Sequence, residues 1–147
     1  MTELNISDVQ SQLLLQVKEV CSSDGQASKD LPDDLMSALH FVFQGTLQPA
    51  LDILDHNGVT KVTSPSGRTV FQVVGSSSKL YTCFPPSKYC TCPSYTYAVL
   101  KRRDITMCKH VLATFLGAAM GTHEEVTISD SEMTKLHRNS HTHNTSE

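Results

Sequence analysis

The chain has no tryptophan, and aromatic residues make up only 6% of its 147 residues. It also lacks any hydrophobic run near the roughly 18 residues that a transmembrane helix needs. Its first ten residues, MTELNISDVQ, contain neither the basic start nor the long apolar stretch of a secretory signal peptide. We therefore expect no membrane span and no secreted form. The hydrophobic content of 39% predicts a core that leaves part of the chain outside it.

The cysteines do not suit a disulfide-built protein either. There are five of them, an odd number, and they are unevenly spaced. Small secreted domains usually pair an even number of cysteines into a framework of disulfides. We therefore expect reduced thiols and an intracellular protein.

Charge is divided along the chain, although the formal net charge is only −3. Residues 1–57 hold two basic and nine acidic residues, whereas residues 58–120 hold eight basic residues and one acidic residue. Residues 121–147 hold two basic and five acidic residues. The basic middle favours an anionic partner. The alternative is that the acidic and basic segments neutralise each other within one fold.

Three helices are predicted in the acidic N-terminal part, because leucine, isoleucine and valine recur there at helical spacing. The stretch 21–30 is small and polar, which predicts a loop that includes Cys21. The second helix should begin near Pro32, because proline suits the first turn of a helix. The three helices are predicted at residues 4–20, from residue 32 onward and at residues 46–55.

After residue 58 the apolar pattern changes from helical spacing to alternation, which predicts short β-strands. Serine, proline and glycine separate these strands, so we expect a three-stranded antiparallel meander. Ser129 and Glu132 match the capping box of a last short helix. The strands are predicted at residues 59–63, 69–74 and 79–84, two further helices at residues 94–102 and 108–120, and disorder from residue 138.

Four residues carry the clearest chemistry: Cys90, Cys92, Cys108 and His110. Cysteine sulfur and histidine nitrogen are the ligands that zinc prefers, and four of them complete its tetrahedron. A closed set of four leaves no open position for water, so we predict one structural Zn²⁺ ion and no enzymatic activity. The alternative interpretation is three buried hydrophobic cysteines and an unrelated histidine. Cys83 lies outside the pattern and is predicted as a core residue of a strand.

These elements predict an α+β fold, with N-terminal helices followed by a three-stranded antiparallel meander and a zinc-bound ββα-like module. We divide the chain where its charge changes. The predicted regions are an acidic helical region at residues 1–57, a basic β-meander with the zinc module at residues 58–120, and a polar, partly disordered C-terminal tail at residues 121–147.

The ligand pattern resembles the SWIM zinc finger family, whose signature is Cys-x-Cys, a variable spacer and Cys-x-His. Three further stretches, at residues 63–68, 74–79 and 81–83, are similar to the SWIM subunits of Shu complexes. The resemblance covers about residues 31–120. It implies a nuclear, non-enzymatic accessory factor of homologous recombination and DNA repair. Such proteins pair with a RecA-like recombinase paralogue and help to load or stabilise recombinase filaments on single-stranded DNA.

Basic side chains lie around and between the ligand pairs, with tyrosines close to them in sequence. They favour a surface that contacts phosphates while aromatic rings stack on bases. The alternatives are a solvated basic loop or a surface that docks an acidic protein partner. The candidate nucleic-acid or partner contacts are Lys88, Lys101, Arg102, Arg103 and Lys109.

Two other functions compete with the recombination factor. The first is a zinc-stabilised recruitment adaptor of the ubiquitin-ligase type, without DNA contact. The second is a DNA-binding remnant of a transposase, but the basic segment has no carboxylate cluster to support it. The first helix carries three consecutive leucines, Leu13 to Leu15, which cover most of its circumference. We expect it to dock partly on the zinc module and partly on another chain, the alternative being a helix packed only within this fold.

Overall fold

The computed structural model describes residues 6–23, 31–75, 78–85, 87, 89–102 and 105–143. Their secondary structure confirms the predicted α+β class. In chain order the elements are α1 (Ile6–Ser23), α2 (Asp33–Phe43), a 3₁₀ turn (Gln44–Thr46), α3 (Leu47–Asp55), β1 (Val59–Thr63), β2 (Thr69–Val74), β3 (Leu80–Cys83), a π-helix (Tyr95–Lys101), α4 (Lys109–Met120), β4 (Glu124–Thr127) and α5 (Asp130–His143).

The first helix is longer than its apolar pattern predicts. It continues to Ser23, so the prediction that Cys21 is a loop residue is wrong. Cys21 follows Val17 by four residues and therefore lies on the same helix face, and both side chains are buried in the core. This last turn could not be predicted from the sequence, because the small polar residues after Cys21 have no helical periodicity.

The sheet has four strands in the order β3-β2-β1-β4. The predicted antiparallel meander forms its first three, and β1 and β2 have the predicted limits. The expectation of three strands is nevertheless wrong, since β4 pairs in parallel with β1. All four residues of β4 are exposed. The strand therefore shows no apolar alternation, and only its tertiary pairing with β1 reveals it.

The two faces of the sheet pack against different elements. One face joins the main core with the helices, through residues such as Val59 and Val73. The other face carries a smaller cluster in which Val62, Val70 and Met133 of α5 are buried. This arrangement follows from strand geometry, because alternate residues of a strand point to opposite faces. Both faces of the meander are therefore covered, at least in part.

Helix α4 occupies the centre of the molecule. It packs against α1, α3 and the sheet, so its buried residues surround the helix. Gly121 ends the helix with a φ of 70°, a left-handed conformation that glycine adopts without strain. Contact between α1 and α4 agrees with the expected docking of the first helix on the zinc module. In the described part of the chain, no helix is both long and apolar enough to cross a membrane.

Candidate metal centre

The first pair of predicted ligands lies just after β3. Cys90 faces Cys83 in an isolated antiparallel bridge. This bridge is held by the backbone N–H of Phe84, which donates to Tyr89, and by that of Thr91, which donates to Thr82. The chain then turns through Cys92 into the π-helix, so both thiols are carried by a short segment with a defined backbone path.

The second pair lies at the beginning of α4. Cys108 is the N-cap residue, with an extended backbone, and His110 lies in the first turn of the helix. The backbone N–H groups of a helix N-terminus carry partial positive charge, which favours a thiolate. The local structure therefore suits cysteine at the first position of the Cys-x-His pair.

The structure brings all four residues together. One ligand atom from each of Cys90, Cys92, Cys108 and His110 lies within 4.8 Å of the others. Each side chain is at most 4% exposed. The Nδ1 atom of His110 is buried without a hydrogen-bond partner, and its ring lies 4.6 Å, centre to centre, from the ring of Tyr81. An orphaned buried nitrogen beside three thiols is the arrangement that a metal ion completes.

The three thiols cannot all ionise easily by themselves. Hydrogen bonds from Cys108 and then Cys90 hold the pKa of Cys92 far below its usual range. The pKa of Cys108 is raised far above its usual range, because its thiol donates to Cys90 and Cys92 and is also buried. One thiolate is thus stabilised by two protonated neighbours. A bound cation removes this conflict, because it stabilises all three thiolates together.

These residues fit one zinc ion. Three cysteines and one histidine form a closed tetrahedral set of the kind found in structural sites. The prediction of a single zinc ion as cofactor is therefore confirmed at the level of a buried Cys₃His group able to hold it. Zinc would contribute binding energy to the fold by joining the segment after β3 to the beginning of α4.

Three of the five predicted basic contacts lie in the described residues. Lys101 and Arg102 are exposed at the end of the π-helix, and Lys109 is half-buried beside the metal ligands. The Lys101 ammonium lies 5.2 Å from the centre of the Tyr97 ring, within the range of a cation–π contact. Lys88 and Arg103 lie outside the described residues.

One feature of the site was missed by sequence reasoning. Cys83 is buried in β3, as predicted, but it also lies directly opposite the ligand Cys90. The only signal in the sequence is its position at the end of a predicted strand, seven residues before Cys90. Pairing between β3 and the following segment depends on tertiary structure, so spacing alone could not identify it.

Several known proteins are similar to most of the chain. The zinc finger SWIM domain-containing protein 7 of Danio rerio is 49% identical over 108 residues, which cover 74% of this chain and 77% of that protein. The protein of the same name from Homo sapiens is 41% identical over 111 residues, covering 76% and 79%. The Dictyostelium discoideum homolog is 28% identical over 132 residues, covering 89% and 84%. No family model and no solved structure matches the chain.

Proposed function

Because this chain belongs to the family of zinc finger SWIM domain-containing protein 7, we propose that it is a non-enzymatic accessory factor of homologous recombination and DNA repair. In this proposal it acts in the nucleus with a RecA-like recombinase paralogue. The pair promotes or stabilises recombinase filaments on single-stranded DNA. The SWIM resemblance drawn from the ligand pairs is confirmed by the named relatives, and the role in recombination is our inference from that resemblance.

The observation that carries the proposal is an exposed surface on and after the π-helix, formed by Tyr97, Leu100, Lys101 and Arg102. We call it the Tyr97 surface. Tyr97 is 60% exposed and Leu100 is 55% exposed, and both basic side chains are exposed. Exposed apolar side chains that are grouped together mark interaction sites, whereas single ones do not. Aromatic rings beside cations match the bases and phosphates of a single strand.

The metal centre restricts the conformation of the segment that carries this surface. The Tyr97 surface belongs to the segment that begins after Cys92 and ends before Cys108. Both of these thiols belong to the same buried group, so zinc closes the segment into a loop. Closing a loop lowers the number of conformations that binding must exclude. The ion acts here as a structural element, and its closed ligand set supports the proposal that the chain is not an enzyme.

The test is binding of the zinc-loaded chain to a fluorescent single-stranded oligonucleotide at two salt concentrations. The variant replaces Lys101, Arg102 and Arg103 with glutamate. If these residues contact phosphates, we expect the variant to bind more weakly. The slope of log K against log salt concentration should also be shallower than that of the wild type by about two, since each of the three contacts contributes about 0.7. Lys79→Glu is the matched control, because Lys79 is exposed between β2 and β3.

Lys79→Glu changes the net charge by −2 and the triple variant by −6. If Lys79→Glu weakened binding by about one third as much, on a logarithmic scale, only net charge would matter and the Tyr97 surface would be rejected as a specific contact. A second variant, Tyr97→Ala, separates stacking from charge. Loss of one base stack costs about 1–3 kcal/mol, so we expect weaker binding with an unchanged salt slope. Unaltered binding by both variants would also reject DNA contact at this surface.

A second candidate function is the recruitment adaptor without DNA contact, which a different surface favours. Phe41 on α2 is 83% exposed and Leu15 on α1 is 58% exposed. Both belong to the acidic region, which makes them suitable anchors for a basic protein. Copurification of a co-expressed recombinase paralogue that persists in Phe41→Ala would support the recombination pair, whereas a DNA-independent partner that is lost with Phe41→Ala would support the adaptor. Leu80→Ala, at an exposed leucine of β3, is the control. If the chain binds ubiquitin-ligase subunits without DNA, and no recombinase paralogue, the adaptor would be favoured.

A further inference from the structure

Cys83 and Cys90 form one particular kind of cross-strand pair. The backbone hydrogen bonds of their bridge join the neighbouring residues, Phe84 to Tyr89 and Thr91 to Thr82. Cys83 and Cys90 themselves exchange none across the bridge, so they are a non-hydrogen-bonded antiparallel pair. In such pairs the Cα atoms are about 4.5 Å apart and the side chains lie close together on the same face.

Both thiols are buried in the protein. Cys83 is 3% exposed and Cys90 is 1% exposed, and as directly opposed residues of the bridge they are side-chain neighbours on the same face. Cys83 is not one of the four residues whose ligand atoms cluster within 4.8 Å. It is therefore a fourth thiol beside the three thiols of the metal centre, and the zinc-ligand pattern assigns it no role.

The charge of a zinc-loaded site suggests what this fourth thiol does. Three thiolates and a neutral histidine around Zn²⁺ carry a net charge of −1 in a buried place, where an uncompensated charge is costly. Two of the sulfur atoms already have a stabilising neighbour, a hydrogen-bond donor in one case and the positive end of a helix in the other. The Tyr95 backbone N–H donates to Cys92, and Cys108 lies at the N-terminus of α4. Cys90 has no helix terminus of its own, and Cys83 is its neighbour across the bridge.

We propose that Cys83 is a positioning residue of the metal centre, whose S–H group donates a hydrogen bond to the sulfur of Cys90 and thereby increases the affinity for zinc. Groups outside the ligand set that hold and orient metal ligands commonly change metal affinity by about 10–100-fold. This inference concerns the residues of the chain around the zinc and does not depend on any role in recombination.

The test measures zinc affinity by competition with a chromophoric chelator in three variants. Cys83→Val has an apolar side chain of similar size and no donor, and we expect it to lower zinc affinity about tenfold. Cys83→Ser keeps a donor, and we expect affinity within a few-fold of the wild type. Cys21→Val is the matched control, because it removes another buried thiol, in α1, away from the ligand cluster.

Two results would overturn the proposal. Equal zinc affinity in Cys83→Val and the wild type would leave Cys83 as a packing residue only. Equal loss of affinity in Cys83→Ser and Cys83→Val would show that the hydrogen-bond donor has no part in the effect.

Cobalt substitution adds a measurement that reports the ligands themselves and is not changed by folding alone. The sulfur-to-cobalt absorption of Cys83→Ser should retain three-thiolate intensity, and a fall in intensity would make Cys83 a ligand.

Discussion

At the scale of single residues, the metal centre is built from side chains that are all nearly inaccessible. No side chain of the ligand group is more than 4% exposed; the group is Cys90, Cys92, Cys108 and His110. Its cysteines belong to the main core, together with residues of α4. Because the site is buried, water is excluded from it. Among the four ligand side chains, no group other than a bound metal ion balances the charge of the thiolates. Loss of one ligand should therefore affect both metal binding and folding.

Cys90→Ser and His110→Ala should each lose bound zinc and most of the ordered structure of residues 58–120. The reason is that the binding energy of a structural zinc ion is also folding energy. Metal content and a thermal melt followed by circular dichroism measure both effects. Cys21→Ser is the control and should keep the metal. Full zinc content with a cooperative melt in either ligand variant would show that the ligand set is wrong.

Gly58 provides a second test at the residue scale. A Cβ atom at this position would lie 2.5 Å from the backbone oxygen of Val74 and 3.0 Å from the Ile53 side chain. Gly58→Ala should therefore lower the free energy of unfolding by about 1–3 kcal/mol, as overpacking does. Gly45→Ala is the matched control, because a Cβ atom there would have no neighbour within 4 Å. Chemical denaturation of the zinc-loaded chain measures the free energy of unfolding of both variants. Equal values would contradict the close approach of Gly58 to Val74 and Ile53.

At the scale of elements, α5 is attached to the sheet at two points. Its Met133 is fully buried against Val62 and Val70. At its N-terminus, the backbone N–H of Ser66 donates to Asp130 over 3.0 Å, and Arg68 donates to the Asp130 backbone oxygen over 2.9 Å. These contacts join the β1–β2 turn to the helix. They explain why a polar C-terminal segment is held against the sheet.

Met133→Ala should release α5 from the sheet. Removal of a fully buried methionine costs about 2–5 kcal/mol, and the other apolar residue of α5 that packs on the smaller cluster, Leu136, is only partly buried. Hydrogen exchange of α5 backbone amides should increase strongly, while α4 keeps its protection. Lys135→Ala, at an exposed position of the same helix, should leave exchange unchanged. Protection of α5 that persists in Met133→Ala would show that the remaining contacts, those of the turn together with Leu136 and His137, hold the helix.

At the scale of the whole molecule, the metal centre and the acidic helices share one core. Helix α4 carries His110 and also packs against α1 and α3. In addition, the Thr106 hydroxyl donates to the buried Gln10 of α1. The acidic and basic parts of the chain are therefore packed together, although their charges divide at residue 58. Charge alone could not distinguish this arrangement from two separate units.

Removal of zinc by a chelator should consequently loosen more than the metal segment. We expect α1, α3 and α4 to lose hydrogen-exchange protection together, because they pack on one another. The β1–β2 pairing should lose protection later, since it depends less directly on the ligands. Hydrogen exchange with mass spectrometry before and after chelation measures this order. Loss confined to residues 90–110 would show that the core is stable without the metal.

Elements with local signals could be predicted from the residues alone. Alternation defined β1 and β2 to the residue, Gly121 marked the end of α4, and the predicted capping box is present, with the Glu132 N–H donating to the Ser129 hydroxyl over 3.1 Å. The four ligands were also predictable, because zinc restricts both their types and their spacing.

Three features became visible only in the folded chain. They are the parallel pairing of β4 with β1, the burial of Cys21 and the position of Cys83 opposite Cys90. Each of these depends on contacts between segments distant in the chain or on a neighbouring surface. Such contacts leave no periodic trace in the residues that make them, which is the physical reason that the sequence pattern did not contain them.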